Sequence, residues 1–175
     1  MINITDRHKC CGCYACTQKC PKKCISMQQN EEGFYYPNVD LSQCINCGLC
    51  EKVCPFLNPQ EFKKPITAYA AKNKDEIKRY NSSSGGVFIS LAETIIEKGG
   101  VVFGAAFTDS LDVKHIYAET KEELNLLMGS KYVQSDLNTT YIQCRTFLEE
   151  NRYVLYSGTS CQIMGLNLFL KKKIR

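Results

Sequence analysis

Apolar positions along this 175-residue chain follow two different regimes. From residue 66 onward they alternate between the period of a strand and that of a helix. "ITAYAAK" (66–72) reads as a strand. "GGVFISLAETIIEKGG" (85–100) sets Val87, Leu91 and Ile95 on one helical stripe and Phe88, Ala92 and Ile96 on the next. Ser84 can cap the start of that helix and Gly99 its end. "VVFGAAF" (101–107) and "VKHIYAE" (113–119) read as strands joined through "TDSLD". Thr120 and Glu123 have the spacing of a capping box opening a helix over "KEELNLLM". Helix over "TTYIQCRTFLEE", strand over "YVLYSG" and helix over "CQIMGLNLFLKK" complete the series. Such alternation implies helices layered on a sheet.

Before residue 66 the regular pattern is sparse. "CISMQQ" and "GFYYP" predict two short strands around the turn "NEEG". Ten of the twelve cysteines lie before residue 55, and all five prolines (21, 37, 55, 59 and 65) lie in the first 65 residues. Three prolines within 55–65 stiffen the backbone and exclude helix. This predicts a domain boundary at about 60–65 and two domains, 1–60 and 66–175.

Composition narrows the class. Hydrophobic content of 44% and charged content of 23% are those of a soluble globular protein. The net charge of +4 is mild and the lysines are scattered apart from 171–175, which reads as a solvated helix end, so no nucleic-acid partner is expected. The start, "MINITDRHKCC", has no apolar signal-peptide core, and no run approaches the roughly 18 apolar residues of a membrane span. The expected compartment is the cytoplasm, where thiols stay reduced and twelve cysteines argue for metal rather than disulfides.

The cysteines repeat. Cys10, Cys13, Cys16, Cys20 and Pro21 recur as Cys44, Cys47, Cys50, Cys54 and Pro55, each offset by 34 residues. Each copy reads C-x2-C-x2-C-x3-C-P, the bacterial ferredoxin run, whose fourth cysteine serves the other cluster. A cubane offers four iron corners, each taking one thiolate. Three cysteines at intervals of three wrap one face; the fourth points away and caps the neighbouring cube, and proline ends the turn. This assigns one 4Fe–4S cluster to Cys10, Cys13, Cys16 and Cys54, and a second to Cys44, Cys47, Cys50 and Cys20. Gly12 and Gly48 are small residues where backbone must come close to sulfide. Cys11 and Cys24 fall outside the spacing and read as small side chains, not ligands. The competing use of eight cysteines is a pair of zinc sites. Zinc prefers two C-x2-C knuckles well apart, and the doubled triplet followed by C-P does not fit that plan. Two cubanes pass one electron at a time, so the first domain is a wire.

Three later segments combine glycine with small hydroxyls where loops meet predicted elements: "NSSSGGVF" (81–88), "GSKYVQS" (129–135) and "LYSGTSCQIMGL" (155–166). None is a G-x-G-x-x-G or P-loop. By themselves they read as capped helices after tight turns, though a helix start also suits a phosphate.

Together with the two cysteine runs, "SSSGGVF", "GSKYVQS" and "SGTSCQIMGL" resemble the beta subunits of coenzyme F-420-dependent hydrogenases and dehydrogenases, in their bacterial form with an N-terminal 4Fe–4S dicluster domain. The resemblance spans Cys10 to about Leu170. It implies a fold of class α+β: a two-cluster bacterial ferredoxin-like module followed by an α/β domain. It also implies FAD, which exchanges a hydride with a deazaflavin and single electrons with the clusters. The residues implied near flavin or coenzyme are Ser83, Ser84, Gly85, Gly86, Ser130, Lys131, Tyr132, Ser157, Gly158, Thr159 and Gln162. Ser160 stands where the family usually has proline. Family members continue with a Cys-His-Gly segment and a further domain, so this chain is expected to be truncated.

Cys161 sits at a predicted helix start, where the dipole can lower a thiol pKa. It is a candidate redox-active residue, with a packed small side chain as the alternative. Cys144 reads as core, and His8 and His115 receive no role. Lys131 and Tyr132 either contact an anionic cofactor or are exposed loop residues. The expected function is an iron–sulfur flavoprotein passing electrons between a reduced coenzyme, a small hydride carrier, and a redox partner protein or subunit. The alternatives are a pure ferredoxin-like module and a non-catalytic remnant.

Overall fold

The two cysteine runs fold alike because their backbones turn at matching places. In this computed structural model, which describes residues 1–3, 6–59 and 65–171, the second and fourth residues after each leading cysteine are left-handed. They are Gly12 (φ 59°) and Tyr14 (59°) in the first run, Asn46 (52°) and Gly48 (70°) in the second. Glycine takes this conformation without strain and asparagine more readily than other residues. Tyr14 is held in it by packing, being 6% exposed, and its carbonyl accepts from the Thr17 hydroxyl at 2.8 Å. A short helix follows each run: α1 (Ala15–Lys19) and α2 (Leu49–Lys52).

Between them lies the expected hairpin. β1 (Ile25–Gln29) pairs antiparallel with β2 (Tyr35–Val39), from Ile25 opposite Val39 to Gln29 opposite Tyr35. Asn30 Oδ1 accepts from the N–H groups of Glu32 (3.2 Å) and Phe34 (2.8 Å), and so shapes the turn.

The chain divides into two compact units. One comprises Met1–Glu61, Leu137–Ile142 and Gly158–Arg175; the other Phe62–Asp136 and Gln143–Ser157. The expected boundary at 60–65 falls almost wholly outside the described residues, as do the last four residues of the basic tail.

In the first unit α7 (Ser160–Leu170) packs on the cysteine loop through Gly165. A Cβ there would lie 3.1 Å from Cys13 Sγ and 3.4 Å from Ala15 Cβ, so a larger residue would push the helix away. Lys19 Nζ donates to the Phe169 carbonyl at 3.1 Å and sits over its ring at 4.8 Å. Helix α6 (Thr140–Glu149) starts in this unit, and Gln18 Oε1 accepts from the N–H groups of Tyr141 (2.8 Å) and Ile142 (3.3 Å) at its first turn.

The second unit contains a three-stranded sheet of order β4-β3-β5. β3 (Val101–Phe107) runs antiparallel to β4 (Val113–Ala118) and parallel to β5 (Val154–Tyr156). On one face Val102, Ala106 and Ala118 pack with Ile89 and Ala92 of α4 (Val87–Glu97) and with Leu124 and Leu127 of α5 (Leu124–Leu127). Elsewhere in the unit Phe103 stacks on Tyr156 at 5.1 Å, with Phe147 at 6.1 Å. Asp75 caps α3 (Glu76–Tyr80), accepting from the Ile77 and Lys78 N–H groups.

Several expectations change. Residues 66–72 form no strand; Ile66 and Tyr69 are 102% and 86% exposed, and apolar alternation without a partner strand has nothing to pair with. Left-handed Gly86 (φ 72°), not Ser84, takes the N-cap position of α4; Gly99 (φ 71°) follows its end as expected. The sheet takes the Ile89–Ala92 side of α4, leaving Val87 and Leu91 exposed. The capping box exists, with Glu123 N–H donating to Thr120 Oγ1 at 3.3 Å and Thr120 N–H to Glu123 Oε2 at 3.2 Å, but 121–123 form a turn and α5 is one turn long. Among the described residues no helix is long and apolar enough to cross a membrane.

Candidate iron–sulfur site

Two cavities open in the cysteine-rich unit. One is lined by Cys10, Cys13, Cys16 and Cys54, together with Cys11. The other is lined by Cys44, Cys47, Cys50 and Cys20, together with Cys24. Each therefore draws three cysteines from one run and the fourth from the other. The remaining walls include Ile2, Met27 and Phe56 around the first, and Ile25, Val39 and Ile45 around the second. No disulfide joins any of the twelve cysteines.

The surroundings fit a cubane: each cavity has four motif thiols in its walls, one for each iron corner. Left-handed residues are interleaved with the cysteines in both loops, the kind of backbone that forms anion-binding nests. Ile2 N–H donates to Cys50 Sγ at 3.2 Å, the kind of N–H···S bond that tunes a cluster's potential.

The cysteines differ in electrostatics. Burial pushes the Cys16 thiol up to about 12 and raises Cys10 as well. Cys20 goes the other way: burial pushes it up, but the N–H groups of Cys24, Lys22 and Lys23 and the Cys24 thiol outweigh it and favour the thiolate. The Cys20 and Cys24 sulfurs are 3.4 Å apart, within hydrogen-bond reach, and hydrogen bonding to Cys20 holds Cys24 up to about 11. Sequence spacing sets Cys24 and Cys11 aside, yet both line cavities. The available signal is position: Cys24 lies four residues past Cys20, and Cys11 lies inside the loop that wraps the first cavity.

The other sequence-predicted residues lie as follows. In the second unit the loops 81–88 and 129–135 meet: Ser130 N–H donates to Ser83 Oγ at 2.6 Å. Ser84 is exposed and Tyr132 is 92% exposed. Gly85 and Gly86 have backbone reasons to be glycine, since a Cβ on Gly85 would lie 2.7 Å from the Ala71 carbonyl oxygen and Gly86 is left-handed. Lys131 Nζ donates to the carbonyls of Met128 (2.7 Å) and Leu126 (3.2 Å), and burial lowers its pKa.

Ser157 is the last residue of the second unit; its carbonyl lies 3.0 Å from His115 Nε2. His115 is 5% exposed, stacks on Tyr156 at 5.7 Å, has no partner at Nδ1, and is held below its usual pKa by burial. Gly158, Thr159, Cys161 and Gln162 belong to the cysteine-rich unit. There Thr159 and Gln162 form the capping box of α7, with Thr159 N–H donating to Gln162 Oε1 at 2.8 Å. Cys161 Sγ lies 3.1 Å from Thr159 Oγ1 and pairs with the Cys11 thiol, which raises its pKa. Cys144 is buried, as expected, and His8 is exposed beside the first run.

Comparison with known proteins identifies the cysteine-rich region. The 4Fe-4S dicluster domain family matches residues 9–58, and a second family of the same description matches 40–98. An uncharacterised ferredoxin of Methanocaldococcus jannaschii is 42% identical over 52 residues, covering 30% of this chain and 66% of the ferredoxin. A 7Fe ferredoxin of Hydrogenibacillus schlegelii is 35% identical over 72 residues, covering 37% of this chain and 81% of that protein. One component of the F(420)H(2) dehydrogenase of Methanosarcina mazei is 21% identical over 180 residues, covering 96% of this chain and 50% of that component. The chain thus spans between half and two thirds of the length of the dehydrogenase component and of the Methanocaldococcus ferredoxin. Through its doubled cysteine run the chain belongs to the 4Fe-4S dicluster ferredoxin family.

Proposed function

We propose that this iron–sulfur electron-transfer module carries single electrons through two cubanes ligated crosswise, one by Cys10, Cys13, Cys16 and Cys54, the other by Cys44, Cys47, Cys50 and Cys20. The observation that carries this reading is the division of the eight thiols between two cavities, three from one run and one from the other in each. When bound, each cubane supplies a one-electron couple. The chain's own residues hold thiolates at fixed corners, aim backbone N–H groups at the sulfur and line the space with apolar side chains. The test is iron and sulfide analysis of protein purified without air. About eight of each per chain are expected for two cubanes, and stoichiometric zinc in their place defeats the reading.

The second reading, resting on the first, links this wire to a flavin or deazaflavin hydride carrier and a partner protein. Supporting it are the similarity to the F(420)H(2) dehydrogenase component along 96% of the chain and the junction of two glycine- and serine-containing loops through Ser83 and Ser130. On this reading Ser83, Ser84, Gly85, Gly86, Ser130, Lys131 and Tyr132 of the second unit serve the carrier. FAD is the expected group, because a flavin splits a hydride into single-electron steps. Acid extraction of the anaerobically purified protein should release flavin; a flavin-free extract from protein with full iron leaves the ferredoxin-type relay alone.

A further inference from the structure

The turn that follows each C-x2-C-x2-C-x3-C-P run carries different side chains in its two copies. At the 34-residue offset, Lys22 and Lys23 of the first run correspond to Phe56 and Leu57 of the second. All four residues are exposed. The fourth cysteine of each run lines the cavity of the other, and its turn goes with it: Lys22 lies in the wall of the second cavity and Phe56 in that of the first. The second cavity therefore has a cationic rim and the first an apolar one.

The two ends also differ in what lies beside them. At the first, α7 is applied to the cysteine loop, where a Cβ on Gly165 would lie 3.1 Å from Cys13 Sγ. None of Cys10, Cys13, Cys16 and Cys54 is exposed. At the second, Cys47 is exposed, alone among the twelve cysteines, and its neighbour Ile45 is 58% exposed. The acidic groups nearby are engaged elsewhere. Glu51 pairs with the Met1 ammonium at 3.0 Å, and the Asp40 carboxylate accepts from the Ser42 and Gln43 side chains at 2.6 Å each. Among the described residues no carboxylate pairs with Lys22 or Lys23.

We propose that the rim formed by Lys22, Lys23, Ile45 and Cys47 is the electron port of this chain, and that its occupant is a small acidic carrier protein with a one-electron group, such as flavin, at its surface. This rests on the crosswise cluster reading, in which Cys47 is a ligand of the second cubane. Tunnelling weakens steeply with distance, so exchange takes place where a ligand reaches the surface. Carboxylates around the carrier's group meet the two unpaired ammonium groups, and Ile45 supplies the apolar centre of the contact. One electron leaves the second site and one arrives on the carrier; no bond is made or broken. Complementary charge speeds the encounter, and a transient redox contact needs less than about 1,200 Å² of buried surface.

The test uses the full, iron-loaded chain, reduced without air and mixed in stopped flow with oxidised flavodoxin, an acidic flavin carrier, or with cytochrome c, a basic haem carrier. The flavodoxin rate should fall about tenfold between about 10 and about 300 mM salt, and the cytochrome c rate should rise over the same range. Lys22→Glu with Lys23→Glu should lower the flavodoxin rate about tenfold at low salt, and Lys22→Gln with Lys23→Gln should lower it less. Leu57→Glu, the equivalent position at the other end, should leave it unchanged. Carbodiimide coupling, mapped by mass spectrometry, reads the contact without turnover: amide bonds should join Lys22 or Lys23 to flavodoxin carboxylates. A flavodoxin rate indifferent to salt and to both lysine changes overturns the proposal. So does coupling that maps only to other lysines, or a loss with Leu57→Glu equal to that of the lysine pair. Iron and sulfide counted on every sample before mixing read the cluster assignment separately, so a missing cluster is distinguishable from a misplaced port.

Discussion

The two units bury different chemistry. In the sheet unit the core is aliphatic: Ile89, Ala92, Val102, Ala106, Ala118, Leu124 and Leu127 close on one face of three strands. Beside the two cavities of the cysteine-rich unit the cluster of buried residues is Ile2, Cys24, Ile25 and Cys50, edged by Val39, Cys16, Cys20, Cys44 and Cys54. Burying a full aliphatic side chain contributes about 1.5–3 kcal/mol. A ring of thiols around a cavity gives far less, and the short helices α1 and α2 are well below the roughly 12 residues at which an isolated helix becomes marginal. The cysteine-rich unit also packs apolar side chains, with Leu137, Tyr141, Leu166 and Phe169 buried, so the difference is confined to its cysteine loops, whose order rests on what their thiols bind. Metal binding is then folding free energy for residues 6–59.

The largest expected effect follows from that contrast. Removing iron with a chelator under reducing conditions should unfold the β1–β2 hairpin and both short helices, while β3 and β4 keep their amide protection. Hydrogen exchange of the apo and loaded protein measures this; a hairpin equally protected in both forms would erase the distinction between the units. Next comes Cys54→Ala, which should remove about half of the roughly eight irons. Alkylation should then label Cys10, Cys13 and Cys16 and spare Cys44, Cys47, Cys50 and Cys20, although Cys54 belongs to the second run. Labelling of Cys44, Cys47 and Cys50 instead would mean that each run serves its own cluster.

Leu124→Ala tests the packed side. Leu124 is fully buried, and the substitution should cost the sheet unit about 2–5 kcal/mol, measured by exchange of the β3 amides in denaturant, with iron content unchanged. The smallest effect belongs to His115. Burial lowers its pKa from 6.5, so the unfolded chain binds its proton more readily. Its stabilising contribution is complete above pH 6.5 and is lost as the pH falls from there through the lower folded value. The sheet unit should therefore weaken on acidification across that window. His115→Gln should flatten the slope, as read from exchange of the β4 amides.

The same contrast explains what can be read from residues alone. The cysteine runs are legible as a doubled motif, because a fixed spacing is repeated at a 34-residue offset and a dicluster family model matches the same region. The left-handed Tyr14 is not, since tyrosine carries no preference for that conformation and only burial holds it there. In the sheet unit, β3, β4 and α4 are legible from periodicity, but the face that α4 buries is not. Periodicity offers two stripes, and the sheet buries Ala92 of one together with Ile89, which lies on neither. Residues 66–72 show the opposite failure, a local strand signal without a partner. Thr159 and Gln162 carry a third lesson. Their T-x-x-Q spacing is that of a capping box, a local signal that accounts for both residues where the family resemblance points to a ligand. Gln18 is beyond reach, because the helix it caps begins more than a hundred residues later.

The crossed lining of the two cavities also sets an order of events at the ribosome. When Cys10, Cys13 and Cys16 emerge, the first pocket lacks its fourth wall, and Cys20 waits beside it for a pocket not yet made. On the proposed crosswise ligation neither site has its four thiols until the second run has been synthesised, a delay of seconds at ordinary elongation rates.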